Sequence, residues 1–117
     1  MEEKIIDLDE VLERVQDDRE LLLELFDIFT QDYALKIEKL RSAIQAKNFE
    51  NIKELVHSIK GAAGNISAIA LHSTCQKIEL LAQAQDLITI QQTILVLETQ
   101  FAHLQQRIVE IKNQFKK

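Results

Sequence analysis

The stretch Leu22-Leu23-Glu24-Leu25-Phe26-Asp27-Ile28-Phe29-Thr30-Gln31-Asp32-Tyr33-Ala34-Leu35-Lys36-Ile37-Glu38-Lys39-Leu40-Arg41-Ser42-Ala43-Ile44 decides the fold. Within it Leu22, Phe26, Phe29, Tyr33, Ile37, Leu40 and Ile44 follow one another in steps of four and three. That spacing returns a side chain to the same face of an α-helix, so it predicts one long amphipathic helix ending near Lys47. The chain has no proline and only two glycines, Gly61 and Gly64, so it lacks the punctuation that strands and hairpins need.

Outward from this helix the same rhythm continues. Asp7 or Asp9 can cap a short first helix through about Val15, and Asp17 or Asp18 can start the long one. Downstream, Asn48 suits the cap of a third helix carrying Ile52, Val56, Ile59, Ala63 and Ile66 on one side, with Leu55 beside them. Ser67 can cap a fourth, with Ala68, Leu71, Cys75, Ile78 and Ala82 on one side. A loop around Gln85 to Ile88 leads to the last helix, where Ile90, Ile94, Leu97, Phe101, Leu104, Ile108, Ile111 and Phe115 keep the rhythm unbroken. Four long one-striped helices joined by links of a few residues predict an all-α protein: an antiparallel up-down-up-down four-helix bundle, with the short N-terminal helix covering one end. A coiled coil through the last helix is the competing architecture; unequal helix lengths and short links favour the bundle.

A length of 117 residues fits one domain, 1–117, and a mainly monomeric protein. The net charge of −5 opposes binding to phosphate backbones and anionic membranes. The imbalance is local, since residues 1–50 hold fourteen acids and seven bases and residues 51–117 hold five acids and seven bases. A site that needs positive charge is therefore expected in the second half. Cys75 is the only cysteine, which excludes an internal disulfide and a cysteine-based zinc site. The opening Met1-Glu2-Glu3-Lys4 does not resemble an export signal and no apolar run is long enough to span a bilayer, so a cytoplasmic location is expected.

Chemistry concentrates in Leu55-Val56-His57-Ser58-Ile59-Lys60-Gly61-Ala62-Ala63-Gly64-Asn65-Ile66. At about 100° per residue His57 lies roughly 140° from Ile52 and so faces outward, with Gly61 and Gly64 beyond it at roughly 180° and 120°. Two glycines inside a helix cost about 1 kcal/mol each relative to alanine, unless an approaching partner or a bulky group on the imidazole needs the cleared surface. Lys53 and Lys60, four residues before His57 and three after it, bring two ammonium groups within reach of that spot. Together they describe a place where a phosphoryl group could be carried and presented to a second protein. Each feature taken singly is more often bland: a solvated histidine, glycines for helix packing, lysines for solubility.

Other candidates are weaker. His72 reads as a structural histidine at the core border, His103 as solvated, and Cys75 as a small buried hydrophobe. The histidines lack metal-ligand spacing, and no Gly-rich nucleotide-binding loop is present, so no metal, no cofactor and no kinase activity of its own are expected.

The segment His57-Ser58-Ile59-Lys60-Gly61 resembles the signature of the histidine-containing phosphotransfer (HPt) domain of two-component phosphorelays, which is His, two residues, Lys, Gly, five residues, Gly. Ser67 stands in the place of the final glycine. The likeness extends to the Asp-rich opening, the Leu-Leu-x-x-Leu-Phe-x-x-Phe run ending at Phe29, and Ile78-Glu79; the last helix matches by pattern only. The resemblance implies that His57 accepts a phosphoryl group from the phosphoaspartate of one response-regulator receiver domain and passes it to the aspartate of another. It implies that Lys60 supports the phosphate and that Gly61 leaves room for the docking receiver; the spacing on the same helix adds Lys53 to the first role and Gly64 to the second. Glu79 would orient the imidazole, Nε2 would attack, and the Mg²⁺ for transfer would belong to the receiver. The chain could be free-standing or a piece of a hybrid sensor kinase. The alternative is a helical interaction module that docks receivers or helices without phosphotransfer.

Overall fold

The computed structural model describes residues 4–116; Met1, Glu2, Glu3 and Lys117 lie outside the described residues. Helices α1 (Leu8–Arg14), α2 (Arg19–Gln45), α3 (Phe49–Asn65), α4 (Ile69–Gln83) and α5 (Leu87–Phe115) account for nearly all of them. Among the described residues there is no strand.

Four of the five helices start on an acid or amide. Asp7, Asp18, Asn48 and Asp86 each accept a hydrogen bond from the backbone N–H three residues on, at 3.0 to 3.1 Å. Such caps stabilise a helix by about 1 kcal/mol each. The expected cap at Ser67 is not made: α4 begins after Ala68 with no side-chain cap. Ser67 has a left-handed backbone (φ 54°) rather than the extended one of a capping residue. Its hydroxyl instead donates to Glu10 Oε1 of α1 at 2.8 Å.

Ser67 belongs to a device repeated at each link of the bundle. Lys47, Ser67 and Gln85, just past the ends of α2, α3 and α4, all have φ near +55°. The next residue then donates back into the finished helix: Asn48 N–H to Ala43 O, Ala68 N–H to Ala63 O, and Asp86 N–H to Leu81 O, at 2.9 to 3.0 Å. This left-handed stop reverses the chain within three residues, and glycine usually occupies it because other residues are strained there by about 1–2 kcal/mol. The glycine of the resembled signature falls on this position, and here serine carries the strain.

The tight links set the packing. Each of α2 to α5 packs on its neighbours in sequence, and α2 also packs on α5, which closes a ring of four. Residue pairs across the interfaces run in opposite directions: Asp27 with Lys112 and Arg41 with Glu98 join α2 to α5, while His57 with Glu79 and Gly64 with His72 join α3 to α4. One contiguous cluster of buried side chains fills the ring, including Phe26, Leu40, Ile59, Ile78, Leu97 and Leu104. Each contributes about 1.5–3 kcal/mol through burial, enough in sum to hold the residues between them in register. The N-terminal segment ties onto the α3–α4 turn through Asp7 N–H to Ser67 O and Ala70 N–H to Lys4 O, both 2.9 Å. Among the described residues no helix is long and apolar enough to cross a membrane.

Candidate functional site

Ile52, Val56, Ile59 and Ala63 turn one face of α3 into the core, which forces His57 outward. Its side chain is 68% exposed. On α4, Ile78 is buried and anchors the turn that carries Glu79, whose carboxylate emerges between the two helices at 17% exposure. Glu79 Oε2 lies 2.9 Å from His57 Nδ1, and Lys60 Nζ donates to Glu79 Oε1 at 2.7 Å. One carboxylate on α4 thus receives two side chains of α3.

The electrostatics follow from that sharing. The Lys60 ammonium, and then the hydrogen bond from His57, hold the Glu79 carboxyl below the usual carboxylate range, against the opposing effect of burial. Glu79 is therefore ionised at neutral pH and can only accept, so Nδ1 is the imidazole nitrogen that carries the proton. Among the described residues Nε2 has no hydrogen-bond partner, and its lone pair is free.

The remaining predicted residues divide. Lys60 is not a free surface cation: it is 22% exposed and committed to Glu79. Lys53 is exposed, makes no ion pair among the described residues, and borders a shallow depression of about 390 Å³ together with Glu50, Glu54, His57 and Glu79. Glu50 and Glu54 went unweighed in the sequence, although their spacing of seven and three residues before His57 puts them on its side of the helix. The surroundings are thus mixed in charge rather than simply cationic. A β-carbon added at Gly61 would meet nothing within 4 Å, so the surface beyond His57 is open there. One added at Gly64 would meet His72 Cδ2 at 3.5 Å, so this glycine faces α4 rather than open solvent.

His72 is half-buried and His103 exposed. Cys75 is fully buried one turn before Glu79, and burial pushes its thiol up to about 12, too high for a thiolate nucleophile at neutral pH. Among the described residues no group of three or more His, Cys, Asp or Glu is placed to hold a metal ion.

An outward imidazole tethered through one nitrogen on a helical bundle keeps its other nitrogen free to react with an approaching partner. The Hpt domain family matches residues 24–111. The chain is also similar to the crystal structure of histidine-containing phosphotransfer protein B (HptB) from Pseudomonas aeruginosa PAO1, with a TM-score of 0.84 and 26% identity over 94% of this chain and 96% of that one. No curated protein is significantly similar. The chain belongs to the Hpt domain family, whose members act in phosphorelays as phosphotransfer carriers rather than catalysts and interact with receiver domains.

Proposed function

We propose that this protein relays a phosphoryl group between receiver-domain aspartates through His57. The observation that carries the reading is an exposed imidazole whose Nδ1 alone is engaged, by Glu79. The Nε2 lone pair attacks the phosphorus of an aspartyl phosphate in the donor receiver. An N–P bond forms, the P–O bond to the aspartate breaks, and the carboxylate leaves with that electron pair. The ring becomes positively charged while Nδ1 keeps its proton, and the adjacent Glu79 carboxylate stabilises that charge. In the second half, an aspartate of the acceptor receiver attacks the phosphorus and the imidazole departs neutral.

Lys60 supports the phosphate with the ammonium hydrogens that Glu79 does not occupy, and exposed Lys53 adds a second cation from the preceding turn. Gly61 keeps the approach clear for the receiver; Gly64 serves this only by drawing α4 close. The Mg²⁺ for transfer is held by the receiver, and the setting is the cytoplasm, where response regulators or a hybrid sensor kinase supply the receivers. Incubation with a phosphorylated receiver and Mg²⁺ tests the reading: label is expected on the wild type and none on His57→Gln. An unlabelled wild type that still binds the receiver would instead mean docking without transfer.

A further inference from the structure

Glu79 gives each of its two α3 partners an oxygen of its own. Lys60 Nζ donates to Oε1 at 2.7 Å, and His57 Nδ1 donates to Oε2 at 2.9 Å. The two contacts share no acceptor atom, so Lys60 can leave without loosening the imidazole. Lys60 follows His57 by three residues, one turn on and about 60° around α3, so ammonium and ring work from one flank of the helix. The lysine is half-buried and the histidine exposed, which places the ammonium in the α3–α4 cleft while the ring stands out of it.

Given the relay proposed above, on which this inference rests, a phosphoryl group on Nε2 changes what that ammonium faces. With the ring neutral, Lys60 is the cation that balances Glu79. With Nε2 phosphorylated, the ring is itself a cation whose Nδ1–H already points at Oε2, so Glu79 is balanced without the lysine. The phosphoryl group meanwhile brings about two negative charges to the exposed end of the ring. At equal distance a dianion attracts an ammonium about twice as strongly as a carboxylate does, and this carboxylate has by then acquired another cation.

We propose that Lys60 changes partner with each phosphoryl transfer: it rests on Glu79 while His57 is empty, moves to the phosphoryl oxygens when His57 is loaded, and returns when the group departs. The ammonium hydrogens that Glu79 leaves unoccupied make the first contact, and the lysine then releases Oε1 to solvent. Both states keep their charges paired. An amide at position 79 would hold the ring but give the ammonium no counter-charge to rest on. Glu50 and Glu54 border the same depression and add no cation, and Lys53 is the other ammonium that lines it. Lys53 has no ion pair among the described residues to give up, so it supports the phosphoryl group without exchanging.

Nuclear magnetic resonance of the full chain labelled with ¹⁵N in lysine, before and after treatment with phosphoramidate, tests the exchange. Nε2 attacks the phosphorus of phosphoramidate, the P–N bond breaks, and ammonia leaves with that electron pair, taking its third hydrogen from water. Mildly alkaline buffer preserves the acid-labile product, and no receiver is involved. In the unphosphorylated protein Glu79→Gln should shift the Lys60 ammonium signal, which Lys60→Met identifies by its loss. In the phosphorylated protein that signal should gain a coupling to phosphorus and lose its response to Glu79→Gln; Lys53→Met should alter neither result. A Lys60 signal that answers to Glu79→Gln equally in both forms keeps the ammonium on the carboxylate and overturns the proposal, as does phosphorus coupling at Lys53 alone. A receiver that fails to label a protein showing the exchange contradicts the relay and leaves the exchange standing. A His57 that takes no phosphoryl group even from phosphoramidate overturns both.

Discussion

Two charged triads tie neighbouring helices together in this bundle, and they are built from similar parts. Across α2 and α5, Arg41 donates to Glu38 on its own helix and to Glu98 on the other. Across α3 and α4, Glu79 accepts from Lys60 and from His57. In the first triad the central group is a guanidinium, which has no lone pair to offer and whose donors are spent on carboxylates. In the second the central group is a carboxylate, and one of its donors is a ring whose other nitrogen stays unpartnered. The difference teaches that ion pairing ties helices together in both places, while only the second triad keeps a nucleophilic atom free and facing solvent.

The comparison is most sharply broken at Glu79. On the proposed relay, Glu79→Gln removes the charge that would stabilise the phosphorylated ring and weakens the tautomer preference, so transfer to and from His57 should slow roughly 10–100-fold in a receiver-coupled labelling assay. The same substitution bears on acid stability. Glu79 has a lowered folded-state pKa, so its contribution is present above the ordinary carboxyl value of 4.5 and is lost as pH falls through the lower folded value. The stability gap between wild type and Glu79→Gln, read from urea melts, should therefore be constant near neutrality and shrink in acid. A gap that widened in acid would mean that the carboxyl is protonated more readily in the folded state.

Next in size is Gly61→Gln. The added side chain projects into open space, so melting should change by no more than about 1 kcal/mol, the cost of leaving a helical glycine being favourable if anything. Transfer should fall severalfold because the receiver must approach across that surface, and unchanged rates would show that the clearance is incidental. The smallest effects compare the triads directly. Lys60→Ala and Arg41→Ala should each cost about 1 kcal/mol or less of stability, as partly exposed ion pairs do. Only Lys60→Ala should slow transfer; an equal effect of Arg41→Ala would erase the distinction drawn between the two sides.

Much of this was readable in the sequence, for identifiable reasons. The three-and-four spacing through Leu22 to Ile44 located α2 because burial of one helix face leaves a periodic trace. Asp18 and Asn48 marked helix starts because their short acceptors reach the first free N–H groups. The outward direction of His57 follows from its angle on α3, but its pairing with Glu79 came from the family resemblance, because angles on two separate helices do not say which side chains meet. The links were harder. Lys47, Ser67 and Gln85 hold left-handed backbone without glycine, so no residue type announced the stops, and Ser67 passed for a cap because serine is common at caps. The contacts of Gly64 and Lys60 with α4 were out of reach for a different reason: a single-helix projection knows nothing of the neighbour, and α4 supplies His72 against one and Glu79 against the other. Glu50 and Glu54 had the spacing to be placed beside His57, but acids on an exposed helix face carry no signal that separates a site from ordinary solvation.

The most direct measurement is nuclear magnetic resonance of the protein labelled with ¹⁵N in its histidines and phosphorylated by a receiver. The account predicts phosphorus coupled to Nε2 of His57, with Nδ1 still protonated and hydrogen-bonded to Glu79. Phosphorus on Nδ1, or on any residue other than His57, would contradict it.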